Sequence, residues 1–214
     1  MPISEVKCCD CMDFMKQFPD KHFDLAIIDP PYGIGITNSN RLATSRGMGG
    51  KSWDSHPPSP EYFKELKRVS KNRIIWGGNY FTEWPCKHFI VWDKQNDGRD
   101  FADCELASSS IGSVARIFRM RPMNMDGGKI HPTQKPVALY IWLLDNYAKP
   151  GDKILDTHMG SQSSRIAAWK MGFDYWGCEI DQEYFDQGCA RFEKERRQLS
   201  LFAQPDEPEQ DALF

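Results

Sequence analysis

The chain has 214 residues, 40% of them hydrophobic and 27% charged, and a formal net charge of −3. That length suits one domain with a sizeable core, and the composition excludes low-complexity and collagen-like chains. No apolar run approaches the ~20 residues of a membrane span, and the N-terminus lacks the basic start and apolar middle of a signal peptide, so a cytoplasmic protein is expected.

The negative total is misleading. Residues 204–214, "QPDEPEQDALF", carry four acids and no base, and without them 27 basic residues face 26 acidic ones. Local patches therefore say more about partners than the total does. The seven cysteines are an odd number, and Cys8, Cys9 and Cys11 crowd together at a spacing that suits neither a disulfide framework nor a zinc site. Reduced thiols and no bound metal are the expectation.

In chain order, "EVKC" reads as a strand and Met12–Phe18 as a short helix. The next strand, "FDLAIID", runs into "PPYGIG". Residues 38–60 are rich in Gly, Ser, Asn and Pro and read as a long loop, a feature that in compact domains usually has a function. Helix "PEYFKELKRVS" follows, with Pro60 in its first turn, then strands "RIIWGG" and "FIVWD" and a strand pair within 104–121. A second loop, "RPMNMDGGKIHPTQKP", leads into helix "VALYIWLLDNYA". Strand "KILD", a short-residue turn, helix "SSRIAAWKMG", strand "DYWGCEID" and a helix from Glu183 to about Arg197 complete the body. Strands alternating with helices imply an open α/β sheet.

Two clusters carry chemistry. In the first, Asp29 stands at a strand end, Pro30 and Pro31 fix φ and lack N–H donors, and Tyr32 offers a flat face. Acceptors beside an aromatic plane suit an exocyclic amine on a planar base. The plain alternative is a strand-terminating turn with Tyr32 packed on the sheet. In the second cluster, short side chains from Gly160 to Ser164 let backbone N–H groups approach a ligand at a helix start. Glu179, 23 residues beyond Asp156, has the offset at which a carboxylate meets ribose hydroxyls. Gln162 stands where a dinucleotide site would want another glycine, so a nucleoside without phosphates fits better.

Together these clusters closely resemble the amino-methyltransferases of DNA in the permuted order, with the catalytic motif first. "DPPYGIG" resembles their catalytic motif, "DTHMGSQSS" their cofactor loop and "HPTQKP" (131–136) the motif placed before that loop. "CCDCMDFMKQFPDKHFD", "WGGNYF", "FIVWDK" and "DCELA" resemble further segments of phage and bacterial members, and the likeness spans roughly residues 5–192. It implies a Rossmann-like, mostly parallel seven-stranded sheet with helices on both faces and S-adenosylmethionine as cofactor. It also implies base flipping and direct methyl transfer to adenine N6 at specific sites in double-stranded DNA, as in restriction-modification.

By the same resemblance Asp29, Pro30, Pro31 and Tyr32 are catalytic. Glu179 binds the ribose, and Asp10 with the Cys11 backbone meets the cofactor's adenine. Asp156, Gly160 and Ser161, helped by His131, Thr133 and Lys135, line the methionine end. Arg41, Arg46 and Lys51 in residues 38–58, and Arg116, Arg119, Arg121 and Lys129 in residues 113–135, are assigned to DNA. Gln162 should be strained if its position needs positive φ.

Alternatives stand beside this reading. N4-cytosine methylation also targets an exocyclic amine, although members with that activity more often carry Ser at the Asp29 position. Pro85–Cys86 would be needed for cytosine-C5 chemistry, in which Asp29 has no role, and that reaction is rejected. A non-catalytic DNA-binding accessory protein of the same fold is the rival from another class. The methyltransferase domain is assigned to 1–197 and an acidic, disordered tail to 198–214. There Gln198, Leu199, Leu201 and Phe202 match the short peptide by which many bacterial proteins grip the replication sliding clamp. A homodimer, in which a second subunit assists recognition, is left open.

Overall fold

The computed structural model describes residues 1–35, 54–81, 88–98, 102–122, 130–131 and 133–202, the last four by their backbone alone. The first strand, β1 (Ser4–Cys8), leads through Asp10 into helix α1 (Cys11–Met15). Asp10 is its N-cap, accepting from the Met12 and Asp13 N–H groups at 2.8 and 3.3 Å, which satisfies donors that the helix start leaves open. Strand β2 (Phe23–Ile28) is buried almost throughout, as a central parallel strand must be. Helix α2 (Pro60–Val69) starts at its proline and buries Tyr62, Phe63, Leu66 and Val69, one face at helical spacing. Strand β3 (Ser70–Trp76) follows and ends in a 3₁₀ turn, Gly78–Tyr80.

The next strands are β4 (His88–Asp93), β5 (Cys104–Ser109) and β6 (Arg116–Arg119). Helix α3 (Val137–Tyr147) begins after Pro136, whose predecessor is barred from helical backbone. Strand β7 (Lys153–Asp156), helix α4 (Ser163–Lys170), strand β8 (Asp174–Glu179) and helix α5 (Gln182–Phe202) complete the order.

Among the described residues the sheet has eight strands in the order β1-β8-β7-β2-β3-β5-β4-β6. Only β5 runs against its neighbours; the remaining pairings are parallel. The expected α/β architecture is therefore present with one strand more than seven. The strand pair anticipated within 104–121 is not a pair, because β4 lies between β5 and β6. As expected, "LAIID" and "KILD" lie side by side, Leu25 opposite Ile154 and Ala26 opposite Leu155.

Alternation along the central strands divides the core between two faces. Leu25, Ile27, Ile74, Trp76 and Ile154 pack under α3 and α4, with Leu139, Leu143 and Ala167. Ala26, Ile28, Ile75 and Leu155 pack against α1 and α2, with Phe14, Leu66 and Val69. Each large side chain so buried contributes ~1.5–3 kcal/mol. The chain leaves β7 toward β8 on one side and β2 toward β3 on the other. The strand order thus reverses at the β7–β2 boundary, the place where open α/β sheets form a crevice beyond their carboxyl ends.

Helix α5 continues to Phe202, past the end expected near Arg197, so the backbone of 198–202 is helical. The side chains of Leu199, Leu201 and Phe202, and the residues after them, lie outside the described residues, as do Arg41, Arg46, Lys51 and Lys129. Among the described residues no helix is long and apolar enough to cross a membrane.

Candidate active site

Asp29 leaves β2 at the crevice, and its carboxylate is held on both oxygens. Oδ1 accepts from the Tyr32 hydroxyl at 2.7 Å, and Oδ2 from Lys135 Nζ at 2.5 Å. The Lys135 ammonium, on a side chain only 1% exposed, also meets Glu105 Oε2 at 2.9 Å and the Tyr32 oxygen at 3.3 Å. Glu105 in turn pairs through Oε1 with Lys94 at 2.5 Å. Burial pushes the Asp29 carboxyl above the usual range against the pull of Lys135. Burial would depress Lys135, but the two carboxylates outweigh it and hold the ammonium more firmly protonated.

The turn after Asp29 is shaped from a distance. With both prolines lacking donors, the next backbone N–H groups are those of Tyr32 and Gly33. Both donate to Asp54 Oδ1, at 2.8 and 3.0 Å, and Asp54 is 1% exposed. Gly77 makes room for the tyrosine. Its φ is +72°, and a Cβ there would fall 2.2 Å from the Tyr32 ring, so only glycine fits. Tyr32 stacks on Tyr80 with centroids 5.0 Å apart and planes 15° from parallel.

The second turn, 157–162, is shaped by carboxylates from its own neighbourhood. Asp156 accepts from the Ser164 hydroxyl at 2.6 Å and from the His158 N–H at 3.0 Å. Glu179, at the end of β8, accepts from the Gly160 and Asp181 N–H groups at 2.9 and 3.0 Å. Gly160 takes a φ of +47° and lies against the His131 ring, which itself packs on Tyr184. Thr133 bonds His131 Nδ1 through its hydroxyl at 3.2 Å. Burial raises the Glu179 carboxyl and lifts Asp156 to about 7.

Gln162 does adopt positive φ, +58°, as anticipated. Its side chain is fully buried, and it explains the residue. The amide nitrogen donates to the Phe185 carbonyl at 3.2 Å, the amide oxygen accepts from Arg165 at 2.9 Å, and its stem fills the space beside Gly188. Glutamine here ties the turn to α5, a gain that offsets the αL cost of ~1–2 kcal/mol.

The two turns share one cavity of about 590 Å³, within the range of small-molecule sites. Asp10, Cys11, Glu179, Gly160 and Ser161 lie on its wall, as do His131 and Thr133; Asp29, Pro30, Pro31, Tyr32 and Lys135 also reach it. Two of the expected residues stand apart from the rest. Asp156 does not line the cavity: it is 1% exposed, and both its oxygens turn inward to hold the loop. Lys135 lines it but turns its ammonium to Asp29 and Glu105, because a buried ammonium needs counter-charges. Sequence reasoning gave no role to Asp54, Gly77, Tyr80, Lys94 or Glu105. The available signals were an acid in an otherwise basic loop and charges at the ends of apolar strands.

Arg116, Arg119 and Arg121 are exposed and lie on or just past the edge strand β6, four strands or about 19 Å from β2. Arg119 and Arg121 are at the carboxyl end of β6, the end of the sheet that carries the cavity, and Arg119 pairs with Asp93 at 3.2 Å. Arg116 begins the strand and lies farther from it.

A nucleoside-bearing cofactor fits this donor set. The Glu179 carboxylate borders the cavity, positive-φ Gly160 opens the wall, and Asp10 and Asp29 add negative charge that suits a cationic sulfur.

Comparison with known proteins agrees with this architecture. The Type II methyltransferase M2.MboI of Moraxella bovis is 25% identical over 235 residues, covering 86% of this chain and 85% of its own. The crystal structure of the M1.HpyAVI–SAM complex superposes with a TM-score of 0.62 at 19% identity, over 87% of this chain and 98% of that one. PvuII DNA methyltransferase, cytosine-N4-specific, gives 0.62 at 12% identity over 92% of each chain. Those two likenesses speak for the fold. The DNA methylase family model matches residues 77–189, more than half of the sequence, and the chain belongs to that family.

Proposed function

We propose that the chain transfers a methyl group from S-adenosylmethionine to the N6 amine of adenine in double-stranded DNA. The observation that supports this most is a largely enclosed carboxylate, Asp29, at the head of a Pro-Pro turn, between Tyr32 and the shared cavity. Bound there, the cofactor supplies a methyl group activated by positively charged sulfur.

The protein's part is positioning. Adenine N6 is a poor nucleophile because its lone pair is delocalised into the ring. Asp29 and the Pro30 carbonyl accept its two N–H bonds and favour a more tetrahedral nitrogen. Each carboxylate oxygen has two acceptor sites, so Asp29 can take the amine while Tyr32 and Lys135 stay in place. Tyr32 offers its face to a base rotated out of the duplex. Glu179 and Asp10 orient the nucleoside end of the cofactor, so that the attack is in line. The nitrogen gains a positive charge as its new bond forms, and the Asp29 carboxylate is already aimed at it. It then receives the departing proton.

Adenine is favoured over cytosine by the carboxylate itself, since related N4-cytosine enzymes more often place a serine there. The test is label transfer from tritiated cofactor to DNA, with the product digested to nucleosides and identified by mass. N6-methyladenine is the expected product. N4-methylcytosine, or full activity in Asp29→Ala, would overturn the assignment.

A further inference from the structure

We propose that Lys135 and Glu105 form a charge clamp that positions the Asp29 carboxylate for the transfer step, with Lys94 as the outer counter-ion. The proposal rests on the reading of Asp29 as the acceptor of the target amine. Four groups of alternating sign come from four separate segments: Asp29 after β2, Lys135 before α3, Glu105 in β5 and Lys94 after β4. Their successive contacts are 2.5, 2.9 and 2.5 Å. The side chains are 15%, 1%, 21% and 15% exposed, and the Lys135 ammonium also lies 5.2 Å from the Trp76 ring centroid.

The alternation matters because the chain of charges is neutral. A lysine paired with Asp29 alone would concentrate its attraction on that carboxylate and compete with the incoming amine. Glu105, on the opposite side of the same ammonium, shares it. Asp29 is thus oriented without being fully neutralised. Without the ammonium, two largely enclosed carboxylates would face each other and one would take a proton, which removes the acceptor.

Other charged or titratable groups face Asp29 as well. The Tyr32 hydroxyl touches it, Tyr140 and Asp156 act on it across the core, and Asp54 holds the turn. Substitution at 135 also removes the 3.3 Å contact with the Tyr32 hydroxyl, so the clamp is tested by opposite changes of charge at two positions, 135 and 105.

The measurement is single-turnover methyl transfer to DNA across pH 5–9, with cofactor binding determined separately. Lys135→Met should move the acid limb of the rate profile up by about one pH unit, and Glu105→Gln should move it down by a similar amount. The double variant should fall between them. Both single variants should slow transfer roughly 10–100-fold at neutral pH with cofactor affinity near wild type. Lys135→Arg keeps the charge, so its limb should stay at the wild-type pH even where its rate falls, which preserves the test if Lys135→Met does not fold. Shifts of the same sign, no shifts, or a loss confined to cofactor affinity would overturn the clamp. Asp29→Asn separates the two readings. Full activity there defeats the role of Asp29 itself, whereas inactivity there with unmoved limbs in the other variants defeats the clamp alone.

Discussion

The two turns that meet in the cavity are built by opposite means. At the 157–162 turn, Asp156 and Glu179 spend their bonds on nearby backbone and on Ser164, so the carboxylates themselves shape the loop. At the Asp29 turn, the carboxylate is held by side chains, one of them 106 residues away, and Asp54 grips the backbone from 22 residues farther along the chain. One turn is a preformed cradle. The other is a charged centre whose geometry depends on partners that could be removed one at a time.

The sharpest test of that contrast is to separate transfer from binding. Asp29→Ala should lower methyl transfer by roughly 10³-fold while leaving cofactor affinity within a small factor. Equal losses in both, by rapid-quench transfer and calorimetric binding, would erase the distinction. Next in size, Gly77→Ala should cut transfer about 100-fold, because the new methyl group collides with the Tyr32 ring at a positive φ. A DNA-bound 2-aminopurine at the target position would then lose the fluorescence change that accompanies flipping.

On the other side, Glu179→Ala should weaken cofactor binding about 10–100-fold, the loss of charge-assisted hydrogen bonds and of loop shape together. Saturating cofactor should restore most of the transfer rate; failure to recover would place Glu179 in the chemistry.

Smaller effects concern stability. Burial holds the Asp156 carboxyl at about 7, above its ordinary 3.8, so between those values the folded protein keeps a proton that the unfolded chain releases. Its contribution is fully present below about pH 4 and is lost as pH rises through 7, on the order of a few kcal/mol. Asp156→Asn should therefore gain on the wild type in urea-denaturation free energy between pH 4 and 8; a constant difference would show that the carboxyl does not titrate there. Smallest of all, Gln162→Gly should change stability by about 1 kcal/mol or less, since relief of the αL backbone offsets lost bonds to Phe185 and Arg165. Gln162→Ala, which keeps the backbone cost and loses the bonds, should be the worse of the two.

Much of the fold was legible because its signals are local. The apolar runs ending at Asp29 and Asp156, Pro60 at a helix start and the alternation of strands with helices each depend on neighbours in the chain. The partner of the edge strand was not legible, since "RIFR" follows β5 in the chain yet pairs with β4, more than twenty residues earlier. Of the site, the two turns and Glu179 were visible through spacing. Glu105 and Lys94 were not, because a charged residue next to an apolar strand reads the same whether it meets water or a buried counter-ion.

By itself, then, the sequence determined the strand-and-helix alternation, the rigid acid-led turn and the small-residue turn, all consequences of backbone restriction and short-range periodicity. Tertiary structure alone decided that those turns share one cavity and that Asp156 faces inward. It also decided that Lys135 pairs with Asp29 and that Asp54 and Gly77 make the Asp29–Tyr32 turn possible. The reason is physical: a carboxylate's role depends on which donors reach it within about 3 Å, and here those donors come from segments that only the folded sheet brings together.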